Sequence, residues 1–432
     1  MMEPSHHRLP TPQPTMPPSP KPTVLLISQV YPPDPTAVGQ YMHDAAAEMA
    51  RRGWRVIVYA ANRGYNDPSQ RFASREVRDG VEIRRQPFSS FGKRSIPIRL
   101  LGGLSLLLQA TLRGLLLRKL DCILVSTSPP MCAAAALVIG TLRRRVAITY
   151  WVMDLNPDQV VALGIFKASS PVVKLFDWFN RRILRRANNI VTLDRFMAER
   201  VLMKADVREK LTVMPPWPLE DHLQIVEHAN NPFRRAHGLN GRLVIMYSGN
   251  HTTCTPLRTV LDAAIRLRDD DRLRFMFIGG GSGKPEVERS IAEHKLSRVI
   301  SLPYQPLDQI KYSLSAGDLH LVVLGDEEVG TRHPCKIYGA MAVARPVLLV
   351  GPEPSHVSDL VRELDIGWHI RHGQVDDAVR IIQQMLDAPP EQIAAMGQRA
   401  RQAINRDLNV ATLRGRLCDL IEQSARRERG GT

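Results

Sequence analysis

The sequence predicts an α/β protein made of two Rossmann-like, doubly wound halves in series. Three observations carry that prediction. Short apolar runs bounded by turn residues alternate with segments of helical period, the pattern of a parallel sheet covered on both faces. Several of the runs are apolar throughout, as buried central strands are. The alternation breaks in a polar, turn-rich stretch, Asn230 to Arg242, and restarts at Leu243.

The first half is expected over residues 23–217. Thr23 to Val30 is a continuous apolar run and reads as a central strand. A loop from Tyr31 to Gln40, rich in proline, leads to a helix from about Tyr41 to Arg52, stopped by Gly53 as a C′ glycine. Trp54 to Ala60 is the next strand, which completes a right-handed βαβ unit. Gly80 to Arg85 follows an Asp-Gly turn as a strand. Ile96 to Arg118 is a long helix, Cys122 to Ser126 a strand, Met131 to Leu142 a helix and Val146 to Tyr150 a strand. Helix 171–186, strand 189–193, helix 195–204 and strand 211–214 complete the half.

The second half is expected over 218–408, with a last helical segment at 409–432. It begins with strand 243–248 and helix 257–268, then strand 274–278, helix 286–294 and strand 299–302. Helix 307–316, strand 319–324, a short helix entered at Lys336 and strand 347–350 continue it. Three helices follow, at about 375–386, 391–405 and 410–424. Residues 1–22 hold eight prolines and no apolar run, so they read as a disordered tail without a secretory h-region.

The chain has 432 residues, 44% of them hydrophobic, and a net charge of +15. Nucleic acid, an anionic membrane surface or a phosphorylated substrate would each suit that charge. No zinc-finger spacing or RNA-recognition signature occurs, so no nucleic-acid partner is expected. The five cysteines are scattered and unpaired by spacing, which fits small buried side chains in a reducing, cytoplasmic compartment rather than a disulfide or zinc framework. Arg99 to Arg118 is strongly apolar but broken by arginines and glycines. It reads either as a core helix or as an interfacial helix whose leucines, Leu106 and Leu107 among them, reach an anionic membrane; it does not read as a span.

Five constellations could carry chemistry. In His333-Pro-Cys-Lys336-Ile-Tyr-Gly-Ala-Met-Ala-Val-Ala344-Arg-Pro346, Lys336 stands where a loop becomes a helix, and free N–H groups there favour an anion. Pro32 to Gln40 joins the first strand to the first helix, with Gly39 permitting close backbone approach, or is a plain βα turn. Trp151-Val-Met-Asp154-Leu-Asn-Pro-Asp158 follows a strand, so its carboxylates either act on an acceptor hydroxyl or cap the next helix. Tyr247-Ser-Gly-Asn-His251 follows the first strand of the second half; His251 and Arg258 are its nearest cationic groups. Gly279-Gly280-Gly281 lies between a strand and a helix and matches no complete phosphate-loop pattern.

The run around Lys336 resembles the donor-site signature of family 4 glycosyltransferases, retaining enzymes of the GT-B fold. There a Pro-Ser-Lys or Pro-Thr-Lys enters a helix ending in Ala-x-Gly-x-Pro. Here Cys335 replaces the hydroxyl residue and Ala344 the turn glycine. The family's pair of glutamates would fall on Thr331 and Gly339, and Glu327 or Glu328 upstream would have to substitute. The Trp151 to Asp158 run, the Tyr-Ser-Gly-Asn turn and the Gly-Gly-Gly turn are similar to family segments, and the likeness covers about residues 23–425.

The resemblance implies two Rossmann-like domains facing across a cleft, with the last helix crossing back to the first. It implies transfer of a sugar from a nucleoside diphosphate sugar to a hydroxyl, in capsule, O-antigen or colanic-acid type biosynthesis. Asp154 and Lys336 would be catalytic. Gly249, Asn250, His251, Gly279, Gly280, Gly281, Tyr304, Glu328, Lys336 and Ile337 would bind the donor. Val38, Gly39, Gln40 and Asp158 would meet the acceptor or phosphate. No metal and no cofactor beyond the sugar nucleotide are expected. The acceptor would be a lipid-linked or other glycan, approached from the inner face of the cytoplasmic membrane. A degenerate protein that only binds a sugar nucleotide or lipid, or an epimerase on the same fold, are the other readings.

Overall fold

The computed structural model describes residues 21–430 except 66, 92–95, 220–223 and 253. The expected tail therefore lies almost wholly outside the described residues. The first half contains β1 (Thr23–Ile27), α1 (Ala37–Arg51), β2 (Arg55–Ala61), β3 (Arg75–Arg78), β4 (Val81–Gln86), α2 (Ile96–Leu115), β5 (Cys122–Val125), α3 (Cys132–Leu142) and β6 (Ala147–Val152). It ends with α4 (Asp158–Ala162), α5 (Pro171–Arg186), β7 (Asn189–Thr192), α6 (Arg195–Lys204) and β8 (Leu211–Val213). These strands form one sheet in the order β3-β4-β2-β1-β5-β6-β7-β8. All its pairings are parallel except β3 with β4.

The second half contains α7 (Pro232–Ala236), β9 (Leu243–Ser248), α8 (Arg258–Arg266), β10 (Leu273–Ile278), α9 (Lys284–Glu293), β11 (Val299–Leu302), α10 (Ile310–Ser315) and β12 (Leu319–Val323). Then come α11 (Lys336–Ala342), β13 (Val347–Val350), α12 (His356–Leu364), β14 (Gly367–Ile370), α13 (Val375–Asp387), α14 (Pro390–Asp407) and α15 (Val410–Gly430). Its sheet is wholly parallel, in the order β11-β10-β9-β12-β13-β14.

The central strands are buried along their whole length: β1, β5, β6, β12 and β13 carry no accessible residue. That is why they read as unbroken apolar runs. In the first half α2, α3 and α5 pack side by side, while α1 packs with α15. The long last helix thus returns from the second half onto β5, β6 and β7. Polar contacts fix it there: Arg52 to Asp419 at 2.6 Å, Asn189 to the Leu420 carbonyl at 2.6 Å, and Arg429 to Asp121 at 2.7 Å. One apolar cluster runs from the first sheet through Trp217 into α11 and α15, so the two halves share a core.

The structure departs from the sequence reading at five places. Helix α1 starts at Ala37, one turn early, so Val38, Gly39 and Gln40 belong to its first turn and not to a loop. The long helix α2 ends at Leu115 instead of Arg118. The edge strand β3 was not expected because Arg75-Glu-Val-Arg78 is too polar to signal a strand. It pairs through Asp79 and Gly80, both at positive φ, the tight hairpin turn that an Asp-Gly pair favours. The single turn α4 hides behind Pro157. Helix α12 and strand β14 hide behind Pro352 and Pro354, yet Ser355 and Ser358 form a reciprocal cap that starts the helix.

Candidate active site

The C-terminal ends of strands from both sheets face one cavity of about 450 Å³ between the halves. Cavities outside strand ends are the usual ligand site of such sheets. The first half lines it with Ala37 and Val38 at the start of α1, with Met153 and Asp154 after β6, and with Leu193 after β7. The second half contributes Ser248, Gly249 and Asn250 after β9, Tyr304 after β11, and the segment Arg332 to Lys336 before α11.

Lys336 is the first residue of α11 and reaches across to the turn after β9. Its Nζ donates to the Asn250 carbonyl at 3.3 Å and lies 4.8 Å from the centre of the Tyr247 ring. Gly249 makes this possible: it sits at φ +133°, and a Cβ there would lie 2.5 Å from Lys336 Cε. Burial, with the charge of Arg332 added, lowers the ammonium from its ordinary 10.5 to about 8. Among the described residues no carboxylate pairs with this ammonium, and a cation held this way favours an incoming anion.

Arg332 was not singled out from sequence, yet it lines the same cavity. Its guanidinium donates to Thr252 Oγ1 at 3.3 Å. Burial works against its charge, but the neighbouring Asp154 and Glu328 carboxylates more than offset this and keep it protonated. The signal available was an arginine four residues before Lys336 on one connecting segment.

Asp154 enters from the opposite half. Its backbone N–H is held by Thr127 Oγ1 at 3.0 Å, and its carboxyl is raised by burial against the pull of Arg332 and His333. It caps no helix: α4 begins after Pro157 with no side-chain cap.

Other expected site residues stand elsewhere. Asp158 pairs with Lys204 at 2.7 Å, and Lys204 also holds Asp177 at 2.5 Å, an ion-pair group between α4, α5 and α6. The His251 imidazole is fully buried, with Nδ1 3.0 Å from the Gly249 carbonyl and the ring edge-on to Tyr247. Burial, aided by Lys284, lowers it to about 4, so it is neutral and braces the turn. Arg258 pairs with Asp262 at 3.0 Å on the surface. Ile337 is fully buried in the core, Gly39 packs against Tyr31, and Gln40 donates to the Pro35 carbonyl at 3.3 Å. Of the triple glycine, Gly280 meets Tyr304, whose hydroxyl donates to its carbonyl at 3.2 Å, and Gly279 and Gly281 let the chain touch the Gly249 to His251 turn. The Glu328 carboxylate accepts from Gln159 of the first half at 3.3 Å and lies behind Arg332 instead of lining the cavity.

Residues 36–217 match the model of the glycosyl transferase 4-like domain, and residues 230–403 match that of glycosyl transferases group 1. The chain belongs to the family 4 glycosyltransferases. It is 24% identical over 372 residues to the Pseudomonas aeruginosa protein named "Probable glycosyltransferase WbjE", covering 84% of this chain and 89% of WbjE. It is 29% identical over 196 residues to the Escherichia coli protein named "Putative colanic acid biosynthesis glycosyl transferase WcaI", 44% of this chain and 48% of WcaI. The crystal structure of Anabaena HepE in complex with UDP and glucose superposes with a TM-score of 0.70 at 14% identity, over 93% of this chain and 99% of HepE. The fold is GT-B, and the enzyme is a glycosyltransferase.

Proposed function

We propose that this family 4 enzyme moves a sugar from a nucleoside diphosphate sugar to a hydroxyl of a lipid-linked glycan, with retention, in cell-surface polysaccharide biosynthesis. The observation that carries the reading is the pair of half-buried cations, Arg332 and Lys336, on the donor half, facing Asp154 across the cavity. The names of WbjE and WcaI and the UDP and glucose bound by HepE support the substrate class.

In this reading the bond from the anomeric carbon to the diphosphate breaks and a bond to the acceptor oxygen forms. Lys336, Arg332 and the backbone of Gly249 and Asn250 stabilise charge as it builds on the leaving diphosphate. They act in place of a metal, and no cofactor takes part. Asp154 orients the acceptor hydroxyl and takes its proton; burial makes it a stronger base than a solvated aspartate. Tyr304, beside the triple glycine, flanks the nucleoside.

The acceptor class rests on the outer face of the first half. Leu100, Leu104, Leu108 and Leu112 recur every four residues along α2 and are all exposed, Leu104 at 64%. Phe88 and Leu142 are exposed as well, and Arg143 to Arg145 follow α3 directly. Such a stripe beside basic residues suits the interface of an anionic membrane, reached from the cytoplasmic side. Among the described residues no helix is long and apolar enough to cross a membrane.

A second reading, binding without transfer, is favoured by one observation: Gly339 lines the cavity where the family pattern has a glutamate. Incubation with UDP-, GDP-, ADP-, CDP- and dTDP-sugars and a lipid-linked acceptor separates the two. Release of nucleoside diphosphate with a product of unchanged anomeric configuration is the expected result. Binding of nucleotide without turnover would replace transfer by the second reading.

A further inference from the structure

We propose that Asp194 and His333 are a positioning pair, through which the acceptor half holds the donor half's cationic segment in place; this rests on reading that segment as the donor-diphosphate site. Residues 324–335 connect β12 to α11 and carry Arg332, with Lys336 next at the helix start. Two half-buried cations so close repel each other, so an untied segment would swing Arg332 away from Lys336 and out of the cavity.

The ties come from the other half. The Leu155 N–H donates to the Thr331 carbonyl at 2.8 Å, and Arg200 Nε donates to the Val329 carbonyl at 2.7 Å. The chain passes so close to α6 that a Cβ on Gly330 would lie 2.7 Å from the Phe196 carbonyl oxygen. The buried centre of this grip is His333, whose Nδ1 donates to Asp194 at 2.8 Å, both side chains being almost wholly inaccessible.

Asp194 is itself fixed, since it caps α6 by accepting from the Met197 N–H at 2.8 Å. On its other side His333 Nε2 meets the Tyr338 hydroxyl at 2.7 Å, which in turn lies 3.1 Å from His356 Nε2. The path therefore runs from α6 of the first half through His333 into α11 and α12 of the second. Of the pair, His333 lines the cavity and Asp194 does not, so Asp194 acts on the nucleotide site through His333. Leu155, which ties the same segment, is the neighbour of Asp154, so acceptor and donor groups share one bracket.

The full chain is titrated by calorimetry with UDP, GDP, ADP, CDP and dTDP, and the nucleotide that binds best is carried into variants. Asp194→Asn keeps the helix cap, since asparagine caps as well as aspartate, but removes the charge that holds His333. His333→Gln keeps a nitrogen toward Asp194 without the ring. Each is expected to weaken nucleotide binding about tenfold, the usual scale for losing a buried hydrogen bond to a charged group. Adding Asp194→Asn to Lys336→Met should weaken binding by less than the sum of the two separate losses, because the aspartate acts through the segment, which still carries Arg332. Affinities within twofold of wild type at 15 °C, even with a lowered melting temperature, would overturn the proposal and leave the pair a structural contact. Additive losses in the double variant would overturn it too. If the wild type binds none of the five nucleotides, the donor-site reading fails and this inference with it.

Discussion

Replacing Lys336 by methionine should make the protein more stable and nearly inactive. Methionine retains most of the stem that packs against Gly249 and removes the ammonium. An ordinary lysine titrates at 10.5 and this one at about 8, a difference equivalent to ~3 kcal/mol against the charged form. Access from the cavity lets water screen part of it, so the expected gain is ~1–2 kcal/mol. The sign follows from linkage. Between pH 8 and 10.5 the unfolded chain holds this proton and the folded one does not, so wild-type stability rises with pH over that window. The destabilisation is present in full below pH 8. At pH 7 the variant should melt about 1–2 °C higher, and the advantage should shrink as pH rises toward 10.5. Its kcat/KM should fall about a hundredfold, the scale of losing one donor to a developing charge. Differential scanning calorimetry at pH 7, 9 and 10, with initial rates at pH 7, reads both. A variant no more stable at pH 7, or one whose advantage ignores pH, would refute the buried-cation argument. Near-normal kcat/KM would remove Lys336 from the reaction.

Asp154→Asn should lower kcat about a hundredfold or more while leaving nucleotide affinity within about threefold, since the carboxylate faces the acceptor; single-turnover rates and calorimetric titration separate the two effects. Gly249→Ala should weaken nucleotide binding about tenfold, because its Cβ would displace Lys336, whereas Gly238→Ala, also at positive φ but with open space around it, should leave affinity unchanged. The protein should co-sediment with anionic vesicles at low salt and be partly released at high salt, and Leu104→Glu with Leu108→Glu should abolish the salt-resistant part. Leu106, by contrast, is fully buried and would report on folding.

The sequence made the architecture legible because parallel strands buried on both faces leave long apolar runs, and among the described residues thirteen β-strands lie in parallel ladders. It could not reveal β3, whose alternate residues face water, or α12, whose start is set by two serines behind prolines. In the cavity, Lys336 was legible because a helix start constrains one residue strongly. Arg332 was not, because what singles it out is proximity to Asp154 across the halves, a distance of 178 residues in the chain. His251 and Asp158 misled for the opposite reason. Both occupy the right turn, but one side chain points into the core and the other to Lys204, and residue type cannot tell direction. On α2 the same limit applied: Leu106 and Leu107 look equivalent to Leu104 and Leu108 until the helix is docked.

The arrangement of charge also explains why the two halves are built to meet. The second half alone would hold Arg332 and Lys336 close together, with Glu328 as a neighbouring carboxylate of Arg332. Asp154 of the first half adds a negative charge that acts on Arg332. The closed cavity still has more cation than anion facing it, because Glu328 is turned toward Gln159. In the proposed reaction a diphosphate supplies the missing negative charge. As the sugar departs, that charge grows on the same oxygens, so the attraction is stronger in the transition state than with bound donor. In the proposed reaction, proton transfer from the acceptor neutralises Asp154 at that stage, so the negative charge that offsets Arg332 falls away as the charge on the leaving diphosphate is greatest.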